Sequence, residues 1–360
     1  MSSASSAPVT RQSPRAGREG DVLAVVSQVG ATVSFFDAAS DRHLGAVEVI
    51  PEPHELVYDP TQRLLWCVTT YHSGHYAENT GRRTELTVID PDARRIVEVI
   101  DLAPEHGPHG LALDTAHHRL YVTVEASADR PGGVVVIDTD TRRPLGRIGL
   151  DAPVPHWFAV GPEGRTGYST NKETPFVSVV DLEQRTLTAR IEMPGSEGLA
   201  LSADGAHLFV AAPYARPFGA TGEEGSSAGI RVIDTRTATV VDTLPTKDVV
   251  MPVHVTSTGK LLAGELGGDF DLVSGIRNHA AGRLRVFSAG SREELGEVGT
   301  GVVPLTINAS PDGRLAYVSC VVSSTVDIVD LETMQRLSRL DLGAFGLSGA
   351  HGLAYIPRPA

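Results

Sequence analysis

One pattern recurs seven times along the chain: an apolar strand, a tight polar turn and a second strand. Clear copies are ELTVIDPDARRIVEVI from Glu85, GGVVVIDTDTRRPLGRI from Gly132 and STVDIVDLETMQRLSRL from Ser324. A second piece precedes most copies, as in HGLALDTAHHRLYV from His109 and LTINASPDGRLAYV from Leu305. Alternating β-branched runs bounded by Asp, Gly and Pro are typical of strands and turns. The repeat length of roughly 40–56 residues is that of a four-stranded propeller blade.

The two ends of the chain predict how the ring closes. The N-terminal unit, DVLAVVSQVG followed by ATVSFFD, lacks an inner strand, and the segment Ala350–Ile356 is an inner strand without a blade. We therefore predict an all-β, seven-bladed β-propeller whose first blade is closed by the C-terminal strand. An open solenoid or a sandwich leaves that last strand unexplained. The domain is expected to span residues 21–357, after a disordered tail over residues 1–20 that has no apolar run.

Two short motifs give the chain a family resemblance. SPDG at residues 310–313 leads into LAYVS, SADG at residues 202–205 leads into HLFVA, and the third strands end in VID-type triplets. With these motifs the chain resembles the YVTN-type, YncE-like seven-bladed propellers over about residues 20–357. The resemblance implies the fold and leaves the activity open, because propellers carry many unrelated functions.

Composition narrows the classes of partner. The formal net charge of −13 disfavours nucleic acid, which is bound by concentrated Lys and Arg. No stretch reaches the roughly 18 apolar residues of a membrane span, and the N-terminus lacks the apolar core of a secretory signal. Cys67 and Cys320 are predicted to be free, buried thiols, as in a reducing compartment. We expect a cytoplasmic protein with a small-molecule substrate and without a nucleic-acid or membrane partner; the oligomeric state is left open.

Histidines recur where the inner strands begin. In a propeller these positions gather around one mouth of the central channel. Blades 1 to 4 carry His351, His54, His109 and His156 there, blade 5 carries Glu197, blade 6 carries Val253 or His254, and blade 7 carries Leu305 or Thr306. With 13 His among 360 residues, chance is a poor explanation for four in consecutive blades.

The aligned histidines predict a metal site on the propeller axis. Neutral imidazoles are the commonest metal ligands, and imidazoles that converge without a cation depress one another's pKa. The predicted ligands are His54, His109, His156, His351 and His254, for a divalent ion that is Fe or Cu in preference to Zn or Mn. Glu197 is a further ligand or an acceptor that orients a ring N–H. In the alternative, the histidines bond backbone carbonyls and plug the channel.

Loops at the same mouth supply the remaining candidates. Long loops follow the second strands of blades 2, 5 and 6, and such loops often bind ligands. The predicted acid–base residues are Glu197, Glu125 and His72. The predicted substrate contacts are Tyr71, Trp157, Tyr214 and Phe270, aromatic residues that favour an apolar or aromatic small molecule.

Three classes of function fit these residues. The first is an Fe(II)- or Cu-dependent oxygenase or oxidase; the predicted site is similar in architecture to carotenoid-cleavage oxygenases, seven-bladed propellers that hold iron with four His. The second is a metal-assisted lyase or lactone hydrolase, similar to streptogramin lyases and lactonases, with the metal as Lewis acid. The third is a propeller that binds a partner or metal without catalysis.

Overall fold

The sequence repeats form seven antiparallel four-stranded sheets around a central channel in the computed structural model. The structure describes residues 19–74, 79–172, 174–193, 195–212, 228–271 and 275–359, with the side chains of residues 269–271 and 275–278 excepted. The prediction of an all-β, seven-bladed propeller is confirmed. The predicted tail lies almost wholly outside the described residues.

The blades follow one another in chain order, and the four strands of a blade are ordered from the channel outwards. Blade 1 is β28 (Ala350–Ile356), β1 (Val22–Ser27), β2 (Thr32–Asp37) and β3 (His43–Glu48). Blade 2 is β4 (Pro53–Asp59), β5 (Leu64–Thr69), β6 (Glu85–Asp90) and β7 (Arg95–Asp101); blade 3 is β8 (Leu111–Asp114), β9 (Arg119–Val124), β10 (Gly133–Asp138) and β11 (Arg143–Gly149). Blade 4 is β12 (Pro155–Val160), β13 (Thr166–Asn171), β14 (Phe176–Asp181) and β15 (Thr186–Glu192); blade 5 is β16 (Leu199–Leu201), β17 (His207–Ala212), β18 (Gly229–Asp234) and β19 (Thr239–Pro245). Blade 6 is β20 (Val250–Val255), β21 (Lys260–Asp271), β22 (Gly275–Ser288) and β23 (Glu294–Val302); blade 7 is β24 (Pro304–Ala309), β25 (Leu315–Cys320), β26 (Thr325–Asp330) and β27 (Gln335–Asp341). A single-turn 3-10 helix, Gly343–Phe345, precedes β28.

The C-terminal strand closes the first blade, as the sequence predicts. β28 pairs antiparallel with β1, with Leu353 opposite Val25. The Tyr355 hydroxyl donates to the Asp21 carboxylate at 2.5 Å, and the same carboxylate accepts the Arg358 backbone N–H at 2.9 Å. The two ends of the domain are therefore joined by strand pairing and by a shared carboxylate. In the described part of the chain, no helix has the length and apolar character needed to cross a membrane.

The SADG and SPDG motifs form the turns between first and second strands. In the first, the Ser202 hydroxyl donates to the Asp204 carboxylate at 2.6 Å, and that carboxylate accepts the Ala206 N–H at 3.0 Å. Gly205 then adopts a φ of 69°, in the left-handed region that favours glycine. Ser310, Asp312 and Gly313 repeat this geometry, which explains why the motif recurs.

The core lies between neighbouring blades. Leu23 and Phe36 of blade 1 pack against Tyr317 and Ile328 of blade 7 in one apolar cluster. The fully buried Trp66 of blade 2 packs in a cluster shared with blade 3. Every blade thus buries both faces against its neighbours, which a lone blade cannot do, and each Å² of apolar surface buried in this way contributes about 25 cal/mol.

Candidate functional site at the mouth of the channel

Strand pairing defines which residues are equivalent at the channel mouth. Leu56 pairs with Cys67 in blade 2 and Leu111 pairs with Val122 in blade 3. Each of the other inner strands has one residue whose pairing with the second strand is equivalent. The residue two positions before each such inner-strand residue is the first to face the mouth. We call the set of seven the axial ring. Its members from blade 1 to blade 7 are His351, His54, His109, His156, Glu197, Met251 and Leu305.

The predicted alignment is wrong for blade 6. Val253 pairs with Ala263 and is therefore the equivalent of Leu56, so Met251 occupies the axial ring. His254 lies three residues further along β20, about 10 Å down the channel at the rise of a strand. The turn between β20 and β21 is one residue shorter than the turn between β16 and β17 of blade 5. This difference shifts the sequence alignment of blade 6 against the other blades. His254 lines the channel wall instead of the mouth.

Glycines after ring residues let the inner strands approach one another closely. A Cβ on Gly352 would lie 2.7 Å from the His54 carbonyl, and one on Gly198 would lie 2.6 Å from the Met251 carbonyl. Gly110 is equally tight against the Trp157 Cα, at 2.9 Å. No larger residue fits these positions without moving the neighbouring strand. The repeated His-Gly and Glu-Gly pairs are thus a requirement of inner-strand packing.

This close approach brings the four predicted histidines into mutual contact. The ring centroids are 4.0 Å apart for His351 and His54, 4.3 Å for His54 and His109, and 3.9 Å for His109 and His156. All four are buried. Hydroxyls of neighbouring second strands fix their backbones: Ser319 donates to the His351 carbonyl at 2.5 Å, and Thr123 donates to the His156 carbonyl at 2.7 Å. The ring nitrogens are not used in these bonds.

Burial favours the uncharged form of His54, His109 and His156. The pKa of His54, His109 and His156 lies well below the usual value, first because burial disfavours the charged ring. Repulsion between protonated rings adds to this effect, from His351 on His54 and from His156 on His109, and the Lys172 ammonium acts in the same direction on His156. Neutral imidazole is the form that ligates a metal ion.

Glu55 joins this cluster, although it was not among the predicted residues. Its Oε1 lies 3.3 Å from His351 Nδ1 and 3.6 Å from His54 Nδ1, longer than the 2.7–2.9 Å typical of charged hydrogen bonds. Burial alone would raise the pKa of Glu55, but attraction to His351 and contacts with both rings outweigh it and lower the pKa. The sequence signal is that Glu stands after His54, where three other blades have Gly.

Three buried atoms of this group have no hydrogen-bond partner in the described structure: Glu55 Oε1, His54 Nδ1 and His351 Nδ1. Among the described residues, His54, Glu55 and His351 are the group of His, Cys, Asp or Glu whose ligand atoms all lie within 4.8 Å of one another. Ligands about 2.0–2.2 Å from one ion are up to about 4.4 Å apart, so a slight contraction fits a metal ion. The four predicted histidines as a set do not form such a group, and ligation by His109 and His156 stays a prediction.

Glu197 is engaged by a lysine that the sequence analysis did not select. Lys172 is buried to 1 % exposure at the end of β13, and its Nζ lies 3.0 Å and 2.9 Å from the two oxygens of Glu197. Glu197 Oε1 is also 3.6 Å from His156 Nδ1. Burial raises the pKa of Glu197, and Lys172 opposes this. In the sequence, Lys172 directly follows a second strand that has no charged residue, and this could have marked it as a candidate.

The other predicted acid–base residues lie outside this cluster. Glu125 is buried and accepts from the Tyr71 hydroxyl and from Arg82, so its carboxylate is already paired. The predicted substrate contact Tyr71 is thereby a buried partner of Glu125. His72 is exposed to solvent. The catalytic roles of Glu125 and His72 stay predictions.

The predicted aromatic contacts have mixed positions. Trp157 is half-buried, lines the channel, and lies edge-on to His109 and His156 with centroids 6.5 Å and 6.3 Å away. Tyr214 lies outside the described residues, and so does the side chain of Phe270.

Beneath the axial ring the channel holds a cavity of about 300 Å³, bounded in part by Glu55, Trp157 and His254.

Comparison with known proteins supports a YncE-like propeller. No family model matches the chain. The chain is 31 % identical over 130 residues to the uncharacterized protein YncE of Salmonella typhimurium and, equally, to that of Salmonella typhi. Each match covers 35 % of this chain and 35 % of the relative, so it spans about a third of their length.

Solved structures share the fold at low sequence identity. Hydrazine synthase of Kuenenia stuttgartiensis superposes with a TM-score of 0.60 and 15 % identity, over 79 % of this chain and 78 % of that one. Dihydro-heme d1 dehydrogenase NirN, in complex with DHE, superposes with a TM-score of 0.60 and 14 % identity, over 89 % of this chain and 64 % of that one. These likenesses establish the propeller architecture, which agrees with the YncE relatives.

Proposed function

We propose that the protein is a metal-dependent enzyme whose ion is held by His54, Glu55 and His351 at the channel mouth. The observation that carries the proposal is the convergence of three buried ligand atoms that lack hydrogen-bond partners in the described structure. Leaving such atoms unpaired is unfavourable, by about 1–3 kcal/mol for each neutral group and more for a charged one. A bound cation satisfies all three at once.

The donor set favours iron. Two imidazoles and one carboxylate with open positions are typical of non-haem Fe(II) oxygenases, whereas a set of histidines alone suits copper or zinc as well. His109 is the next donor, because both its ring nitrogens are buried without a partner in the described structure and its ring contacts His54. When bound, Fe(II) supplies the capacity to activate O₂. We therefore propose an Fe(II)-dependent oxygenase or oxidase of a small apolar or aromatic molecule.

The protein's own groups support this chemistry in three ways. The ionised Glu55 lies 3.3 Å from His351 and 3.6 Å from His54 and balances part of the charge of a divalent ion. The Lys172–Glu197 pair places a buried ammonium beside His156 and so favours the neutral ring. The cavity of about 300 Å³ below the site, bounded in part by Glu55 and Trp157, offers room for a small substrate.

A lyase or hydrolase is the second candidate, and the buried Glu197 favours it. Burial raises the pKa of this carboxylate above its usual value, the direction that favours a general acid or base. In that case the bound ion is Zn or Mn and polarises a carbonyl oxygen of the substrate.

The test measures metal content. The protein is purified without metal-affinity steps, stripped with chelator, reloaded anaerobically with Fe(II), and analysed by mass spectrometry of the metal. We expect nearly one ion per chain, and a loss of at least tenfold in affinity for Glu55→Gln and His351→Ala. The matched control is His117→Ala, because the His117 side chain is 57 % exposed in a turn far from the ring.

The outcomes separate the candidates. Iron bound by the wild type and lost in both variants, with O₂ uptake on adding small aromatic compounds, supports the oxygenase. Preferential binding of Zn or Mn at the same residues moves the proposal to the lyase or hydrolase. Equal metal content in wild type and Glu55→Gln would contradict the site.

A further inference from the structure

The row of imidazoles in the axial ring has a carboxylate at each end. Along the row the rings are those of His351, His54, His109 and His156. Glu55 lies beside the first two rings, and Glu197 Oε1 lies 3.6 Å from Nδ1 of the last. Both carboxylates are buried. Buried charges in proteins are paired or coordinate metal ions, so each of these carboxylates requires a cation.

The two carboxylates meet this requirement differently. Beside Glu55 the described part of the chain places two imidazoles and no Lys or Arg, and its Oε1 has no hydrogen-bond partner there. Beside Glu197 the ammonium of Lys172 lies 3.0 Å from one carboxylate oxygen and 2.9 Å from the other. An ammonium that faces both oxygens of a carboxylate stands where a chelated metal ion would stand. The row therefore has two cation positions, and the protein fills one of them itself.

The structure of a blade does not require a lysine at this position. The backbone N–H groups of Lys172, Leu266 and Val321 each donate to the carbonyl of the residue two positions before the ring member of their own blade, at 2.8–3.0 Å. In blades 6 and 7 this position is apolar: Leu266 is buried in a small apolar cluster, and Val321 packs against it. A buried ion pair adds little stability over apolar residues of similar volume. The ammonium of Lys172 therefore calls for an explanation other than the packing of blade 4 on blade 5.

The groups around Lys172 are donors that suit a metal ion. Glu197 Oε1 and His156 Nδ1 are 3.6 Å apart, within the roughly 4.4 Å that two ligands of one ion can span. The ring of His109 lies 3.9 Å from that of His156, and both its nitrogens are buried without a partner in the described structure. These three residues repeat the set of two imidazoles and one carboxylate at the Glu55 end. With Lys172 in place their ligand atoms do not converge as those of the first group do.

We propose that Lys172 occupies a second cation position of the axial ring, at Glu197, and thereby limits the ring to one metal ion at the Glu55 end. Like charges repel strongly where water is excluded, so the buried ammonium opposes the binding of a second divalent ion. Without Lys172 the ring is a site for two ions. That the first position holds the ion of an enzyme rests on the proposed function, whereas the second position can be tested without it.

The test counts ions per chain. Metal-free protein is dialysed to equilibrium against Co(II), and bound cobalt is measured by mass spectrometry of the metal. We expect one ion in the wild type and two in Lys172→Gln, because the amide releases the Glu197 carboxylate to a metal ion. Lys172→Gln/Glu197→Gln should return to one ion, since no charge is left at the second position. The matched control is Lys260→Gln, at the start of β21 on the opposite face of the ring, which should bind one ion.

Combined variants keep this inference apart from the proposed function. Glu55→Gln should bind no ion, and Glu55→Gln/Lys172→Gln should bind one, at the second position. A wild type without cobalt and a Lys172→Gln variant with one ion would contradict the proposed function and support the second position. Lys172→Met, with an unbranched apolar chain, is a second replacement in case the amide disturbs folding. If neither replacement bound more cobalt than the wild type, with circular dichroism unchanged, the proposed role of Lys172 would be overturned.

Discussion

At the scale of residues, the site depends on keeping imidazoles uncharged in contact with one another. Burial lowers the pKa of three of the four, and the carboxylates of Glu55 and Glu197 lie beside the outer members of the row. His109 lies between two other imidazoles, and neither of its ring nitrogens has a hydrogen-bond partner in the described structure. A proton on this ring would therefore have no carboxylate bonded to it as a counter-charge. The cluster is therefore built for neutral donors.

The same effect makes the stability of the metal-free protein depend on pH. His254 has a folded pKa of about 4, below the unfolded value of about 6.5, because burial disfavours its charged form. Between these values the unfolded state binds the extra proton, so the free energy of unfolding falls as the pH falls. Each such histidine contributes a slope of up to ~1.4 kcal/mol per pH unit.

Urea unfolding of the metal-free protein from pH 7.5 to pH 4.5 measures this slope. We expect a steady loss of stability below about pH 6.5 and a shallower slope in His254→Leu, which removes one of the groups concerned. The apolar replacement suits the channel wall, so the variant should fold. A slope that is the same in both proteins would show that His254 titrates alike in the folded and unfolded states.

At the scale of elements, the inner strands set the geometry of the site. Three of them place glycine after the ring residue, and the strands then approach until the imidazoles touch. The other four strands carry Glu55, Trp157, Pro252 and Thr306 at this position. Of these, Glu55 belongs to the group that could hold a metal ion.

Much of this arrangement follows from the sequence, for a physical reason. Strand alternation and turn residues are local, so the seven blades and the closing strand could be predicted, whereas the axial histidines as a metal site stay a prediction. The position of Met251 could not, because a shortened turn shifts the alignment and only the pairing of Val253 with Ala263 fixes it. The Glu after His54 departs from the repeat, but its contact with His351 spans the closure of the ring and cannot be inferred from the sequence around Glu55.

Replacing one inner-strand glycine tests the close-approach argument. In Gly110→Ala the new methyl group would overlap the His156 carbonyl and lie 2.9 Å from the Trp157 Cα, both backbone atoms that cannot move alone. We expect a loss of about 1–3 kcal/mol in the free energy of unfolding, as for overpacked cores. Gly290→Ala is the control, since its methyl group would meet nothing within 4 Å. Equal stability of the two variants in urea unfolding would contradict the argument.

At the scale of the whole molecule, the proposed metal site bridges the closure of the ring. His351 belongs to β28 at the C-terminal end, whereas His54 and Glu55 belong to β4 near the N-terminal end. β28 also pairs with β1 and supplies Tyr355 to Asp21. An ion bound by these three residues therefore holds β28 against blade 2, in addition to its strand pairing in blade 1.

Metal binding and ring closure should then be thermodynamically linked. A ligand that binds the folded state alone stabilises it by about 2.7 kcal/mol when present at 100 times its Kd. We expect Fe(II) under anaerobic conditions to raise the Tm and to slow hydrogen exchange most strongly in β28 and β1. Glu55→Gln should keep the fold and lose both effects, because the carboxylate is removed while the strand pairing stays. If added metal protected β28 no more than a strand of the opposite side of the ring, such as β17, the ion would not bridge the closure, and the assignment of His351 as a ligand would be wrong.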